Sequence, residues 1–258
     1  MPAVDQDVKK PREKILLLGG TADARLIADH LAKQPEIEAE LSLAGVLSQP
    51  PKMALPLRIG GFGGVDGLVR YIHDHGITVL IDATHPYAAQ MSYHAVMACQ
   101  QTGIRRLSLW RPPWEAEDDD HWQGFDDWPQ LMAAIPDGTR VFMAAGQDGM
   151  KALPPVPKFS VLARALARPE GLPDHVEMIE ALPGKTPEAE MEIFTNHVIS
   201  HIICKNSGGT SSQAKLIAAR KLGLPVLMIN RPSAPPAPIY PDAESLLAAL
   251  FDDQSRGV

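Results

Sequence analysis

The chain has 258 residues, enough for one large domain or two small ones. Hydrophobic residues make up 45% of it and charged residues 21%, and no apolar run approaches the roughly 20 residues that span a bilayer, so the composition predicts a soluble protein. The net charge of −7 reflects the segment 115–127, which holds seven acids and no Lys or Arg, while the remainder balances 24 acids against 24 bases. That balance argues against a nucleic-acid-binding protein, which normally carries a basic excess.

Residues 1–13 are polar and lack the apolar stretch of a signal peptide, so they predict a disordered tail on a cytoplasmic protein. Cys99 and Cys204 are the only cysteines and have no CxxC spacing, which excludes a disulfide framework and a thiolate zinc site. Both are expected to be buried. The histidine pairs 73/75 and 197/201 lack a third clustered ligand, so no metal site is predicted.

Short apolar runs alternate with helical patterns along the first 111 residues. Strands separated by helices of ten or more residues predict a parallel sheet with helices on both faces. The predicted strands are 15–18, 40–47, 55–59, 77–82 and 105–110, and the predicted helices are 24–34, 65–75 and 87–102.

A proline-, tryptophan- and acid-rich stretch then interrupts the pattern, and a second round of strands and helices follows. We therefore predict two doubly wound, Rossmann-like α/β domains with mainly parallel sheets and a cleft between them, at residues 14–111 and 127–258, joined by a linker at 112–126. Ligands in such folds bind at the carboxyl ends of the strands. In the second domain the predicted strands are 140–144, 159–166, 201–204 and 225–229, and the predicted helices are 128–135, 187–197, 211–222 and 242–251.

A glycine turn, GGTADAR, directly follows the first predicted strand. Glycines let backbone amides approach a phosphate, and the next helix presents unpaired N–H groups and the positive end of its dipole. Gly19, Gly20, Thr21 and Arg25 are therefore predicted to bind a pyrophosphate or a carboxylate. The alternative is a turn required only for strand–helix packing, because adjacent glycines and Ala24 depart from the G-x-G-x-x-G pattern.

The end of the second strand distinguishes the two nicotinamide cofactors, because an acid there binds the ribose 2′-hydroxyl of NAD. The segment 41–48 has no acid, and Ser48 and Lys52 follow the strand. This pattern favours NADP, with Ser48 among the cofactor-binding residues. Lys52 is equally well explained as an ordinary exposed lysine.

The sequence DATHPYA begins at Asp82, where the fourth predicted strand ends. Pro86 at the first helical position, with Thr84 or His85 as a cap, would explain part of it as helix initiation. With Tyr87, however, the motif brings an acid, a hydroxyl, an imidazole and a phenol to one strand end, more polar function than a cap needs. The alternative is a purely structural pairing of Asp82 with His85.

A second glycine-rich loop, KNSGGTSS, leaves the strand 201–204 and enters a predicted helix. Lys205 would add a positive charge to a cradle of backbone amides, which suits an anion. The alternative is simple helix capping by Ser207, Thr210 or Ser211. The order of a Walker A motif is absent, as is the G-x-S-x-G elbow of a serine hydrolase.

In their order and spacing, the motifs at 19–25, 82–88 and 205–209 resemble the precorrin-6A reductase family of cobalamin biosynthesis. The resemblance extends over residues 14–251, and DATHPYA is its most specific part. Asp23 stands where the family usually has Glu.

The resemblance implies an NADPH-dependent reduction of one carbon–carbon double bond of precorrin-6A, giving precorrin-6B. The protein would hold the nicotinamide against the ring, exclude water and leave a proton source. Asp82, His85 and Tyr87 would line the reaction site, with His85 or Tyr87 as proton donor and solvent as the open alternative. The cofactor would be bound by Gly19, Gly20, Thr21, Arg25, Ser48 and Thr84, and the substrate carboxylates by Arg25, Lys205, Asn206, Ser207, Gly208 and Gly209.

The partners implied are a small tetrapyrrole substrate and other corrin-pathway enzymes that hand it over, with no nucleic acid and no membrane. Three alternative functions stay open. One is a cobalt-precorrin-6A reductase of the anaerobic route. Another is a non-catalytic two-domain protein that binds an anionic ligand, and the third is another NADP-dependent reductase or epimerase on the same fold.

Overall fold

A computed structural model describes residues 13–45, 52–166, 168–169 and 171–255, with side chains as far as Asp252. This part of the chain divides into two units. The first consists of the described residues up to Trp110 together with those from Ala234 onward, and the second is Arg111–Ser233. Each unit contains a six-stranded sheet in which all neighbouring strands are parallel. The prediction of two Rossmann-like α/β domains is confirmed.

The first unit is built on strands that are apolar on both faces. In β1 and β4 the sequences KILLL and VLID are almost wholly buried, as a strand covered by helices on both sides requires. Its strands are β1 (Lys14–Leu18), β2 (Glu38–Leu43), β3 (Leu57–Ile59), β4 (Val79–Asp82), β5 (Arg105–Leu109) and β12 (Ile239–Tyr240), and its helices are α1 (Ala22–Leu31), α2 (Gly64–His75), α3 (Ala89–Thr102) and α8 (Ala243–Ser255).

The strand order of the first sheet is β12-β5-β4-β1-β2-β3. The chain runs outward from β1 to β3 and then returns to β4 on the other side of β1, so the order reverses between β1 and β4. In open α/β sheets this reversal point, at the carboxyl ends of the strands, is where ligands bind. The glycine turn after β1 and the polar motif after β4 therefore both lie at this point.

Helices cover both faces of the first sheet. On one face α1 packs on β1, α8 packs on β5 and the two helices contact each other, with Ile27 and Leu250 fully buried there. On the other face α2 and α3 bury Leu68 and Ala98 against Leu16 of β1. The rigid central strands thus position the loops at the carboxyl edge.

The second unit repeats this architecture. Its strand order is β6-β11-β10-β7-β8-β9, so the order reverses between β7 and β10. Phe142 and Phe194 form the centre of the core between the sheet and two of the helices. The strands are β6 (Trp122–Phe125), β7 (Arg140–Ala144), β8 (Ser160–Ala165), β9 (Glu177–Glu180), β10 (His201–Lys205) and β11 (Val226–Ile229), and the helices are α4 (Trp128–Ala134), α5 (Gly146–Lys151), α6 (Pro187–Asn196) and α7 (Ala214–Lys221), with a 3₁₀ turn at Thr210–Ser212.

An ion pair is buried between β8 and α6. Arg164 Nη1 lies 2.7 Å from Glu190 Oε1, and Glu190 also accepts a hydrogen bond from the backbone N–H of Gly184 at 2.6 Å. Glu190 is completely inaccessible and Arg164 is 6% exposed. The pair therefore connects the sheet, the helix and the segment that precedes the helix.

The domain boundaries predicted from the sequence are partly wrong. The second domain does not run to the end of the chain, because β12 pairs with β5 and α8 packs on α1 in the first unit. Nor is the segment 112–126 a mere linker, because β6 pairs with β11 as an edge strand of the second sheet. Both edge strands pair with a strand far from them in sequence, so no local pattern assigns them to a sheet.

Most predicted elements are present with shifts of a few residues. Strands β6, β9 and β12 and helix α5 are not predicted from the sequence. The three strands lie at sheet edges, are short and carry polar residues, so they lack the apolar runs of the central strands. Helix α5 contains two glycines in six residues, a composition that disfavours a helix.

Candidate functional site

The glycine turn after β1 is held in place by backbone and side-chain hydrogen bonds. The N–H of Gly19 donates to the carbonyl of Ser42 on β2 at 2.9 Å. A Cβ at Gly19 would lie 2.5 Å from Cδ1 of Leu41 on β2 and 3.4 Å from Cβ of Ala24 on α1, so close packing against the strand and the helix favours glycine here. Gly20 has φ +118° and open space above its Cα, so its backbone is accessible. The packing alternative thus accounts for Gly19, whereas Gly20 leaves room for a ligand.

Helix α1 begins at the turn, and Thr21 is its N-cap. Thr21 Oγ1 accepts from the N–H of Ala24 at 3.1 Å, so the cap occupies one of the free helix donors. Arg25 is exposed in the first turn, and no described residue forms a hydrogen bond or ion pair with its side chain. Its charge is therefore available to an anion near the start of the helix.

Thr21 also joins the first motif to the second. Its hydroxyl donates to the carbonyl of Ala83 at 2.8 Å. Asp82 is 4% exposed and uses Oδ1 to accept from both the N–H and the hydroxyl of Thr84, at 3.1 and 2.7 Å. The predicted residues of both motifs are thus assembled at the reversal point of the first sheet.

The turn after Asp82 differs from the expectation of a helix beginning near Pro86. Helix α3 begins at Ala89, and its N-cap position, Ala88, makes no side-chain capping bond. His85 Nδ1 accepts from the N–H of Tyr87 at 3.3 Å, and the two rings are 5.5 Å apart. Helix initiation therefore does not explain this motif, and Oδ1 of Asp82 is bound by Thr84.

The third motif lies at the reversal point of the second sheet. Lys205 ends β10, and its Nζ is 2.7 Å from Oδ2 of Asp148, which follows β7. The lysine side chain is 13% exposed and the Asp148 side chain 63% exposed. The pair fixes the direction of the lysine at the carboxyl edge of the sheet.

The rest of this loop docks against the segment Arg111–Trp114. The side chain of Asn206 accepts from the N–H of Trp114 at 2.8 Å and donates to its carbonyl at 3.0 Å. Gly208 has φ +67°, and a Cβ there would lie 1.9 Å from the carbonyl oxygen of Pro112. This close approach accounts for Gly208 without a bound anion.

The helix expected directly after the glycines begins later. Gly209 is followed by the 3₁₀ turn, and α7 starts at Ala214 with no side-chain cap at either point, so the capping alternative is wrong. Ser207 is buried, with its hydroxyl 3.4 Å from that of Ser212.

Burial changes the pKa values of Lys215, Cys99 and Cys204. Lys215 Nζ donates to the carbonyl of Ser212 at 2.6 Å and lies 4.7 Å from the ring centre of Trp114. Burial lowers the pKa of the Lys215 ammonium group, because desolvation disfavours its charge. Burial likewise raises the pKa of Cys99 to about 12 and raises the pKa of Cys204, so both thiols are inert at neutral pH.

Three residues of these sites, Arg58, Asp148 and Lys215, lie outside the motifs that the sequence indicates. Arg58 lies on β3 opposite Ser42, and its guanidinium stacks 3.8 Å from the ring centre of Phe62. The only feature of the nearby sequence that indicates a role for Arg58 is its position just before the glycine-rich tract GGFGG. Ser48, a predicted cofactor-binding residue, lies outside the described residues.

Within the described ranges, no group of three or more His, Cys, Asp or Glu residues is arranged to hold a metal ion. Within the same ranges, every helix is too short or too polar to cross a membrane.

The strand order reverses between β1 and β4 in the first sheet and between β7 and β10 in the second. Together with the glycine turn at a helix N-terminus, these orders define a protein of two Rossmann-like α/β units. A family model described as precorrin-6x reductase CbiJ/CobK matches residues 14–250. The chain therefore belongs to the precorrin-6x reductase family.

Several relatives cover nearly the whole chain. A precorrin-6A reductase of Rhodobacter capsulatus is 42% identical over 95% of this chain and 99% of its own length. One of Rhodococcus erythropolis is 41% identical over 87% of this chain and 91% of its own. A cobalt-precorrin-6A reductase of Methanothermobacter thermautotrophicus is 28% identical over 88% of this chain and 79% of its own. A solved structure, CobK precorrin-6A reductase, superposes with a TM-score of 0.88 at 42% identity, covering 93% of this chain and 96% of that one.

Proposed function

We propose that this protein catalyses the NADPH-dependent reduction of one carbon–carbon double bond of precorrin-6A, giving precorrin-6B in cobalamin biosynthesis. The observation that carries the proposal is family membership over residues 14–250. The hydrogen bond between Thr21 and Ala83, which brings the two N-terminal motifs together, supports it at the site. A cytoplasmic location and the hand-over of the tetrapyrrole between pathway enzymes are parts of the same proposal.

The metal-free substrate is favoured over the cobalt form by the degree of similarity. The two precorrin-6A reductases described above are 42% and 41% identical to this chain, against 28% for the cobalt-precorrin-6A reductase. Pairs of enzymes that share more of their sequence more often share the substrate as well. We therefore assign the chain to precorrin-6A.

The residues around the glycine turn fit a dinucleotide. Gly20 leaves open space over an accessible backbone, and α1, with ten residues, directs its free N–H groups and dipole toward that space. When bound, the nicotinamide cofactor supplies the hydride. Gly19, Gly20, Thr21, Arg25 and Thr84 would hold it.

The chain's own residues would orient the reactants and supply a proton. Thr21 fixes the turn to the strand end at Ala83, and Asp82 fixes the hydroxyl of Thr84. Because His85 Nδ1 accepts from a backbone N–H, the proton of the neutral ring is carried by Nε2. We therefore assign proton donation to His85 Nε2 or to the phenol of Tyr87.

Substrate carboxylates would bind to Arg25 and to the Lys205–Gly209 loop. Lys205 is aligned by Asp148, whose largely exposed carboxylate costs little to displace when a second anion approaches. We expect Lys205→Ala to weaken tetrapyrrole binding roughly tenfold or more, the effect of one lost charge-assisted hydrogen bond. Isothermal titration calorimetry with the tetrapyrrole measures this loss.

The test is to follow NADPH absorbance after adding precorrin-6A, in parallel with cobalt-precorrin-6A. We expect oxidation of NADPH with the metal-free substrate and a slower reaction with the cobalt form. His85→Ala and Tyr87→Phe identify the proton donor by the loss of turnover, and His73→Ala, at an exposed histidine near the end of α2, is the control. If neither substrate consumes NADPH although the tetrapyrrole raises the melting temperature, the protein is a binding protein and the proposal is refuted.

A further inference from the structure

We propose that Arg58, held in position by Ser42, binds the 2′-phosphate of the cofactor and thereby selects NADPH over NADH. This inference rests on the proposed function, because it assigns a subsite of the same cofactor. It concerns residues on β2 and β3, outside the three sequence motifs.

The position follows from the topology of the first sheet. Ser42 is next to the last residue of β2, and the register pairs it with Arg58 on β3. The carbonyl of Ser42 accepts the N–H of Gly19, so this strand end adjoins the glycine turn. In Rossmann units the end of the second strand contacts the 2′ position of the adenosine ribose, and a nearby arginine accommodates a 2′-phosphate.

The charge of Arg58 is not neutralised by a neighbouring acid. Its Nη1 donates to Ser42 Oγ at 3.3 Å and to the carbonyl of Gly60, and its Nη2 donates to the carbonyl of Gly61 at 2.9 Å. All of these acceptors are uncharged. Across the described residues, no carboxylate lies within salt-bridge distance of Arg58, and its Nε–H has no acceptor.

Glu40, which lies two residues before Ser42 and therefore on the same face of β2, is held by another group. Tyr71 Oη donates to the carboxylate of Glu40, 2.8 Å from either oxygen. Burial and the Glu40 carboxylate raise the pKa of Tyr71 to about 12, so the phenol keeps its proton at neutral pH. Glu40 is thereby kept in the Tyr71 contact, and the guanidinium of Arg58 is left for an external anion.

The guanidinium is also rigid before any ligand arrives. It stacks on the ring of Phe62 at 3.8 Å and lies 5.0 Å from the ring centre of Tyr71. A planar guanidinium fixed in this way matches the oxygens of a phosphate and loses little entropy on binding it. The alternative is that Arg58 only braces the turn after β3, and the two roles differ in what they do to cofactor selectivity.

The experiment compares the binding of 2′,5′-ADP and 5′-AMP by isothermal titration calorimetry, because only the first carries the 2′-phosphate. We expect Arg58→Gln to weaken 2′,5′-ADP binding roughly tenfold or more and to leave 5′-AMP binding unchanged. Arg58→Lys, which keeps the charge but not the planar fork, is expected to lose part of the affinity, and it replaces the glutamine variant if that variant does not fold. Arg70→Gln, at an exposed arginine of α2, is the control for net charge.

Equal losses for both nucleotides would mean that Arg58 is only a brace, and no loss would place the 2′-phosphate elsewhere. Either result overturns the inference while the wild-type protein still binds NADPH, so the proposed function survives. A wild-type protein that binds neither nucleotide nor NADPH overturns both.

Discussion

Replacing Glu190 by Gln tests the buried ion pair of the second unit. Glu190 is fully buried, and its two oxygens accept from Arg164 Nη1 at 2.7 and 2.9 Å. Glutamine keeps the volume of the side chain but removes its charge, which leaves a guanidinium that is only 6% exposed without a counter-ion. Breaking a buried pair in this way costs about 3–5 kcal/mol of folding free energy.

The assay is urea unfolding followed by tryptophan fluorescence. Trp114, Trp122 and Trp128 all lie in the second unit, so three of the four tryptophans report on it. With an m-value of about 2–3 kcal/mol per molar urea, the expected loss lowers the unfolding midpoint by roughly 1–2.5 M. Glu188→Gln is the matched control, because its carboxylate, on the same helix, pairs with Lys221 in solvent. We expect the control to leave the midpoint unchanged.

The double variant Arg164→Met/Glu190→Met separates charge from packing. Because it removes both charges and keeps side chains of similar size, we expect it to be more stable than Glu190→Gln alone. The reasoning is refuted if Glu190→Gln unfolds at the same urea concentration as the Glu188 control. It is equally refuted if the double variant is the least stable of the set.

Three further results are expected. Thr21→Val removes the capping hydrogen bond from Ala24 and the hydrogen bond to the carbonyl of Ala83, so it should lower the free energy of unfolding by about 1–2 kcal/mol and weaken NADPH binding in calorimetry. An unchanged dissociation constant would contradict the place of Thr21 in the cofactor site. Gly208→Ala brings a Cβ to 1.9 Å from the carbonyl oxygen of Pro112 and should lower the free energy of unfolding in urea by more than about 2 kcal/mol. The control Gly223→Ala has φ +64° and open space around the new Cβ, so it should lose only the about 1–2 kcal/mol that a left-handed backbone costs a residue with a side chain. Because the folded-state pKa of Tyr71 is raised to about 12, the stability contributed by its protonated phenol is complete below the ordinary pKa of 10 and is lost as the pH rises through about 12. In a pH titration followed by tyrosinate absorbance, Tyr71→Phe should therefore lack the component that appears at the highest pH. If the variant instead lacks a component that appears at lower pH, the contact with Glu40 is contradicted.

The central strands, and the position of the first two motifs at strand ends, could be predicted from the sequence because each depends only on neighbouring residues. The leucines of β1 and the run at β4 are buried on both faces, and such strands read as continuous apolar segments. Family membership, which the three motifs predicted, is confirmed. The roles assigned to His85, Tyr87 and Lys205 stay predictions.

The loop from Lys205 to Gly209 shows why local patterns were insufficient elsewhere. Its glycines suggested an anion cradle, yet Gly208 is required by the carbonyl of Pro112, nearly a hundred residues earlier in the chain. Arg58 is the opposite case. It looked unremarkable in sequence and gained its position from the register between β2 and β3.

The amino-acid sequence by itself determined the alternation of strands and helices and the glycine turn at the first helix, because these depend on side-chain periodicity and backbone freedom within a few residues. Only the tertiary structure decided that β12 and α8 complete the first unit, that Thr21 binds the strand end at Ala83, and that Arg58 lies beside Ser42. Each of these depends on hydrogen bonds or buried contacts between residues far apart in the chain. Such contacts form only when the whole sheet and its helices pack together.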